Sequence, residues 1–178
     1  QTLDAYRPRV HMNNIFALLV LITLSGCDIL IPDDLKRFYA MEDIIKEKYF
    51  SNQIPETLLL TSEYLTLANK YPDDWNYGNA IHKANLYKGL IALEHGRTDE
   101  AEAFLRASGN TPGSPQLDTF GPNMLLAKAL LDHGHKQAVL DYIEQLRAFW
   151  EMNDGKLDQW KKQIENGETP NFGANLKY

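Results

Sequence analysis

Few residues of this sequence have the types and spacing that support catalysis or metal binding. His133 and His135 are separated by one glycine and would diverge on a turn, and His95 cannot share a helix face with its neighbour Glu94. The sequence contains no HExxH, CxxC or Asp-x-Asp pattern, so it predicts no metal site. Ser114 lies in Gly-Ser-Pro, which is not the Gly-x-Ser-x-Gly elbow of a nucleophilic serine. We therefore predict that the protein is not an enzyme, has no cofactor and acts on no small-molecule substrate. We expect the histidines to lie at helix C-termini, where an imidazole can bond a free carbonyl.

The one cysteine, Cys27, follows an uncharged run at positions 15–24 and a Ser-Gly step. Such a run is too short to span a bilayer as a helix, which takes about 20 apolar residues, but it suits the apolar part of a secretory signal. The ending Leu24-Ser25-Gly26-Cys27 resembles the bacterial lipoprotein signal. That resemblance implies cleavage before Cys27, lipid on its thiol and retention in the bacterial cell envelope, at the inner or the outer membrane. The alternative is a buried cysteine near the end of an ordinary core helix.

The length and composition suit one domain after this front segment. The chain has 178 residues, of which 44% are hydrophobic, and a formal net charge of -6. Net acidity argues against non-specific nucleic-acid binding, which needs clustered Lys and Arg. Met12 is a plausible start, so we interpret residues 1–27 as upstream residues plus a lipoprotein signal segment. Residues 28–178 are then a single helical domain.

From residue 33 onward the sequence favours helices throughout. Apolar residues recur at three- and four-residue steps, and no stretch alternates as a strand does. Asp33 and Asp34 place negative charge at a helix start, Pro55 suits the first turn of a second helix, and Thr98 is expected to be an N-cap. The pattern predicts an all-α fold of about six to seven helices.

An internal repeat relates two of these helical hairpins. Segment 89–105 aligns with segment 127–143, and Gly96 and Gly134 lie 38 positions apart, since 134 − 96 = 38. That offset is close to the period of helix-turn-helix repeats.

The small residues Gly89, Gly96 and Ala101 resemble the pattern of tetratricopeptide (TPR) repeats, although Ala138 in the second unit is one place early. The whole stretch 71–178 resembles a group of uncharacterised bacterial TPR-like proteins. These resemblances imply a stack of antiparallel helical hairpins, and they imply no activity.

A loop at 107–124, rich in Pro and Gly, separates the two repeats. Since stacked hairpins bind peptides or protein segments, we expect protein or peptide partners, with candidate contact residues Gln116, Asp118, Phe120 and Asn123 in the loop and Tyr77 and Tyr87 nearby. The structural alternative is a spacer loop with Phe120 packed inward. The sequence thus predicts a non-enzymatic, lipid-anchored envelope protein that acts as an interaction scaffold. Its alternative is a permanent accessory subunit of a larger complex.

Overall fold

The computed structural model describes residues 31–177, and all the regular structure in that range is helical. The predicted all-α fold is therefore confirmed. The described range holds eight α-helices, one more than the upper expectation. They are α1 (Asp33–Phe50), α2 (Ile54–Lys70), α3 (Tyr77–Glu94), α4 (Thr98–Gly109), α5 (Pro115–Phe120), α6 (Leu125–Asp132), α7 (Lys136–Leu146) and α8 (Lys156–Glu165), followed by a short 3-10 helix (Gly173–Leu176). The predicted lipid site, Cys27, lies outside the described residues.

Local signals place the starts of α1 and α2 correctly. Asp33 and Asp34 lie in the first turn of α1, and a proline occupies the start of α2. The prediction that Thr98 is an N-cap is wrong, because Thr98 is the first residue of α4 and Arg97 holds the N-cap position. The tight turn at Gly96 explains this shift. The backbone N–H of Arg97 returns to the carbonyl of Ala92 at 2.9 Å, so the next helix can begin one residue earlier than expected.

The helices pack as successive hairpin layers. α1 pairs with α2, α3 with α4, and α6 with α7, while α8 covers the last layer. Helix α3 packs on α6 and α4 packs on α7, so the first helices of the two repeats are neighbours, as are the second ones. The two repeat turns have the same geometry. Gly96 and Gly134 both have positive φ, of 71° and 86°, and each donates to a carbonyl three residues earlier at 2.9 Å.

Gly89 permits the close approach between the repeat units. A Cβ at this position would lie 2.2 Å from Cδ2 of Leu126 in α6 and 3.1 Å from Cβ of Phe104 in α4. Contacts that short are not tolerated in a packed interior. Ala101 is fully buried, and Val139, at the matching position 101 + 38 = 139, is fully buried as well. Positions 101 and 139 are therefore equivalent in burial, even though the alanine of the second unit, Ala138, lies one position earlier in the sequence.

The 107–124 segment is not only a loop, because α5 forms within it. The pair Gly121-Pro122 does not open the following helix, because α6 begins at Leu125. The reason is local. Gly121 ends α5 with φ of 82° and ψ of 177°, which is an extended left-handed geometry that glycine adopts at little cost. The side chain of Asn123 then accepts a hydrogen bond from the backbone N–H of Leu125 at 2.9 Å and so marks the start of α6.

The C-terminal segment closes the far end of the stack. Phe172 is buried and meets the ring of Trp160 edge-on at a centroid distance of 4.9 Å. Trp160 lies in turn against Trp150. Phe172 thus attaches this segment to the helical body, and Leu176 packs against the same core. This packing covers apolar surface that the last helix would otherwise expose.

Candidate functional site

A groove of about 370 Å³ opens between α1, α3 and α5. We call it the α5 groove. Its walls are mainly apolar, with buried Leu117 and exposed Phe120 from α5. It is lined by Glu42, Asn79, Lys83, Gln116, Leu117, Phe120 and Gly121. A mostly apolar cleft with a few polar groups is the usual form of a binding site in proteins.

Both ends of α5 are fixed by local hydrogen bonds. At its start, Oγ of Ser114 accepts from the backbone N–H of Leu117 at 3.0 Å, and the hydroxyl donates to Oδ1 of Asn79 at 2.5 Å. At its end, the N–H of Gly121 donates to the carbonyl of Leu117 at 3.0 Å. A Cβ at Gly121 would lie 2.4 Å from the ring of Trp150. The short helix is therefore held against α3 on one side and against the core on the other.

The C-terminal segment also holds the α5 region. The side-chain amide of Asn175, which is buried, donates to the carbonyls of Phe120 at 3.0 Å and Pro122 at 2.9 Å. Its own carbonyl accepts from the backbone N–H of Met124 at 2.7 Å. One residue near the end of the chain thus satisfies three backbone groups around Gly121, where no regular helix does so.

A chain of side-chain amides forms the polar rim of the groove. Nδ2 of Asn79 donates to Oδ1 of Asn76 and to Oε1 of Gln116, each at 3.3 Å. Asn76 in turn donates to the carbonyl of Phe38 in α1 at 3.2 Å. These contacts engage the amide oxygen of Gln116. Its amide nitrogen makes no hydrogen bond within residues 31–177, so an N–H donor is left at the groove.

An ion pair lies in the same groove. Nζ of Lys83 is 2.6 Å from Oε1 of Glu42, and the two side chains are 10% and 32% exposed. Two charges so close and so far from solvent neutralise each other, and each alone would be costly to bury. The groove is therefore electrically balanced although it contains two ionisable residues.

Of the six residues predicted to bind a partner, two line the α5 groove. Phe120 is 58% exposed, so the structural alternative in which it packs inward is wrong. Gln116 is exposed beside it. Asp118 belongs to the same helix but lines a separate polar cleft, where its carboxylate accepts from the backbone N–H of Glu151 at 3.3 Å.

Of the other three predicted contact residues, Tyr87 and Asn123 are corrections because they are buried, whereas the prediction for Tyr77 stays a prediction. Tyr87 is buried and packs against the ring of Tyr49 at 5.2 Å, so it belongs to the core. Asn123 is buried and accepts from the first backbone N–H of α6 as described above. Tyr77 is half-buried and packs against the core at the start of α3. Aromatic and amide residue types alone did not distinguish these buried roles from surface ones.

Sequence reasoning missed five of the residues that line the groove: the polar residues Glu42, Asn79 and Lys83, and also Leu117 and Gly121. A usable signal did exist in α3. Asn79 and Lys83 are four residues apart and so lie on one face of a helix whose other residues are mostly apolar. Polar residues within such a buried helix need partners, which here come from α1 and α5.

His82, the neighbour of Lys83, is a further polar residue buried in α3. Its Nδ1–H donates to the carbonyl of Ser108 at 3.2 Å, and its Nε2 accepts from the backbone N–H of Asn123 at 3.0 Å. Burial, and secondarily the charge of Lys83, lowers the pKa of His82 to about 3. The imidazole is therefore neutral at neutral pH and acts as a structural link between α3, the end of α4 and the segment before α6.

The expectation that the histidines lie at helix C-termini is confirmed for two of them. His95 and His133 occupy the C-cap positions of α3 and α6, and each Nδ1 bonds the carbonyl four residues earlier at 2.8 Å. His82 lies within α3, and His135 holds the N-cap position of α7, where it bonds Oε1 of Glu102 at 2.8 Å. His11 lies outside the described residues.

Residues 31–177 lack two further features. No three His, Cys, Asp or Glu side chains in this range are close enough together to hold a metal ion. None of the helices in the same range has the length and apolar character needed to cross a membrane.

The comparisons with known proteins find no relative. No protein-family model, no curated protein and no solved structure matches the chain. The likeness to TPR proteins and to lipoprotein signals therefore stays a prediction.

Proposed function

We propose that this protein is a non-enzymatic interaction scaffold, a TPR-like stack tethered to the bacterial cell envelope by lipid on Cys27. The observation that carries the proposal is the α5 groove, in which an exposed phenylalanine, Phe120, borders a mostly apolar cleft on a fixed helical frame. Exposed aromatic side chains at a preformed cleft are typical of the residues that dominate protein interfaces.

Binding explains the polar groups of the groove better than catalysis does. Asn79 and Gln116 bond each other, and Lys83 is paired with Glu42. The groove's own residues include no hydroxyl or thiol nucleophile. Its amine and its carboxylate, which can also act as nucleophiles, are held in the ion pair of Lys83 and Glu42. Amides bonded into a frame instead give a cleft a fixed shape, and a preorganised cleft loses less entropy on binding.

The proposed anchor rests on the sequence at Leu24-Ser25-Gly26-Cys27. Helix α1 begins at Asp33, which is six positions after Cys27 since 33 − 27 = 6. Cleavage before Cys27 would leave a linker of a few residues before the helical stack. The mass of the mature N-terminal peptide from native membranes tests the anchor alone. A diacylated Cys27 supports it, and an intact leader or a free thiol there contradicts it.

Site-specific photo-crosslinking in the native bacterium tests the scaffold function. A photoreactive phenylalanine analogue at position 120 should give a defined crosslinked product with one protein partner. The same analogue at Met152 is the matched control, since Met152 is also 58% exposed but lies outside the groove. Identical products at both positions, or none at position 120, would contradict a role of the groove in partner binding.

The alternative proposal is a permanent accessory subunit. It is favoured by the large apolar side chains of Phe50 and Leu59, which are 64% and 73% exposed on α1 and α2. A buried face on a larger complex would cover such residues. Size-exclusion of the gently solubilised native protein separates the two cases. A stable stoichiometric complex favours the subunit, whereas a free protein that crosslinks at position 120 favours the scaffold.

A further inference from the structure

We propose that the α5 groove binds an uncharged apolar side chain of a partner peptide, preferably aromatic, and that the amide nitrogen of Gln116 donates to a peptide carbonyl beside it. This inference rests on the proposed scaffold function and specifies what the scaffold recognises. Three features of the groove lead to it: its charge balance, its free donor and the origin of its shape.

The charge balance decides against a charged ligand. Lys83 and Glu42 are joined at 2.6 Å, and Lys83 is 10% exposed, so most of its hydration has been replaced by one carboxylate. A ligand carboxylate would have to compete with Glu42 for Lys83 and leave Glu42 without its cation. A ligand ammonium would have to compete with Lys83 for Glu42 and leave Lys83 without its anion. Breaking a largely buried pair is costly, so the complementary group for this groove is neutral.

The rim supplies one donor in a defined place. Oε1 of Gln116 accepts from Asn79, and Asn79 is fixed by Ser114 and Asn76. This chain of bonds leaves the amide nitrogen of Gln116 as a donor that makes no hydrogen bond within residues 31–177. Every residue of an extended peptide offers a carbonyl acceptor. A peptide carbonyl next to the inserted side chain is therefore the natural complement of Gln116.

The shape suits a single inserted side chain rather than a long segment. The volume of about 370 Å³ lies near the lower end of the roughly 300–1,000 Å³ that ligand sites occupy. Leu117 and Phe120 supply the apolar walls. An aromatic ligand side chain would gain binding free energy beyond that of its buried area if its ring met the ring of Phe120 edge to face. Gly121 contributes backbone to the wall, and its missing side chain leaves room for the ring of Trp150, which would lie 2.4 Å from a Cβ there.

Small probes test this chemistry on the full chain without a known partner. N-acetyl-tryptophanamide has an uncharged indole and two carbonyls, while N-acetyl-tryptophan has the same indole and a carboxylate. Amide NMR signals of Leu117, Gly121 and the Gln116 side chain should shift with N-acetyl-tryptophanamide, and the carboxylate probe should bind at least several-fold more weakly. Equal or tighter binding of the carboxylate probe overturns the proposal, because Lys83 would then be the recognition group.

Two variants and one control identify the contacts. Gln116→Ala should weaken the binding of N-acetyl-tryptophanamide roughly two- to tenfold, which is the effect of losing one hydrogen bond. Phe120→Ala should weaken it at least as much, and Met152→Ala should leave it unchanged. Unchanged binding in Gln116→Ala, or no groove shifts with either probe, overturns the proposed ligand. If crosslinking at position 120 still captures a partner in that case, the scaffold function survives and only its ligand chemistry is wrong.

Discussion

The backbone N–H of Asn123 donates to Nε2 of His82 at 3.0 Å across 41 positions of the chain. The same ring donates through Nδ1 to the carbonyl of Ser108. One neutral imidazole thus joins α3, the end of α4 and the entry to α6. Its neighbour in α3, Lys83, lies in the α5 groove, so this link and the groove share one stretch of helix.

His82 makes stability depend on pH in a defined window. Its ordinary pKa is about 6.5 in an unfolded chain, and burial lowers it to about 3 in the native state. Between these values the unfolded chain binds a proton that the native state does not. The free energy of unfolding should therefore fall as the pH falls from about 6.5 towards 3, by up to about 1.4 kcal/mol per pH unit from this group.

The variant His82→Gln isolates that contribution. It should be less stable at pH 7.5 by about 1–3 kcal/mol, because glutamine has no donor at the position of Nδ1 and the buried carbonyl of Ser108 loses its partner. It should also lose stability less steeply below pH 6.5 than the natural protein, as measured by urea unfolding at several pH values. Parallel pH profiles for the two proteins would show that His82 is not the group responsible.

Substitutions of Lys83 and Glu42 should have non-additive effects on the free energy of unfolding. Lys83→Met alone leaves the half-buried carboxylate of Glu42 without a cation and should cost about 1–3 kcal/mol. The double variant Lys83→Met/Glu42→Leu removes both charges and should recover most of this loss. A double-mutant cycle by urea unfolding measures the coupling. Strict additivity of the two substitutions would contradict the pairing.

Gly89 should be intolerant of a side chain because of Leu126. The methyl group of Gly89→Ala would lie 2.2 Å from Cδ2 of Leu126, and such overpacking costs about 1–3 kcal/mol. In a Leu126→Ala background the same substitution should cost clearly less, since the obstructing atoms are gone. Leu130→Ala is the matched control, because it truncates another buried leucine one turn along α6 and gives no such relief. Equal costs in all three backgrounds would argue against this contact between repeats.

Gly121 should be more sensitive to substitution than Gly134. Both have positive φ, of 82° and 86°, so alanine is strained at either position, by about 1–3 kcal/mol. The ψ of 177° at Gly121 adds to the difference, since that combination of angles is essentially limited to glycine. Only at Gly121 does a Cβ also meet the ring of Trp150, at 2.4 Å. Gly121→Ala should therefore unfold at lower urea than Gly134→Ala and should lose the defined crosslink at position 120. Equal urea midpoints of unfolding for the two variants would contradict a destabilising contact with Trp150.

Several structural features followed from the sequence because their causes are local. Acidic residues at positions 33–34 and a proline at 55 favour helix starts through the helix dipole and through fixed φ. Gly96 and Gly134 end helices because the left-handed turn needs no Cβ. The 38-residue offset between them predicted two equivalent hairpins, and their turns have matching hydrogen bonds.

Which residues line the α5 groove, by contrast, depended on packing between distant segments. Phe120 and Tyr87 are both aromatic residues in helical surroundings, yet the first is exposed and the second is buried, because α3 is covered by its neighbours while α5 is covered on fewer sides. Glu42 and Lys83 come from α1 and α3 and meet only when those helices pack. The sequence alone therefore determined the helices, their turns and their repeat, since these depend on residues a few positions apart. Only the tertiary structure decided which side chains meet at the groove, since burial and pairing there depend on contacts between segments tens of residues apart.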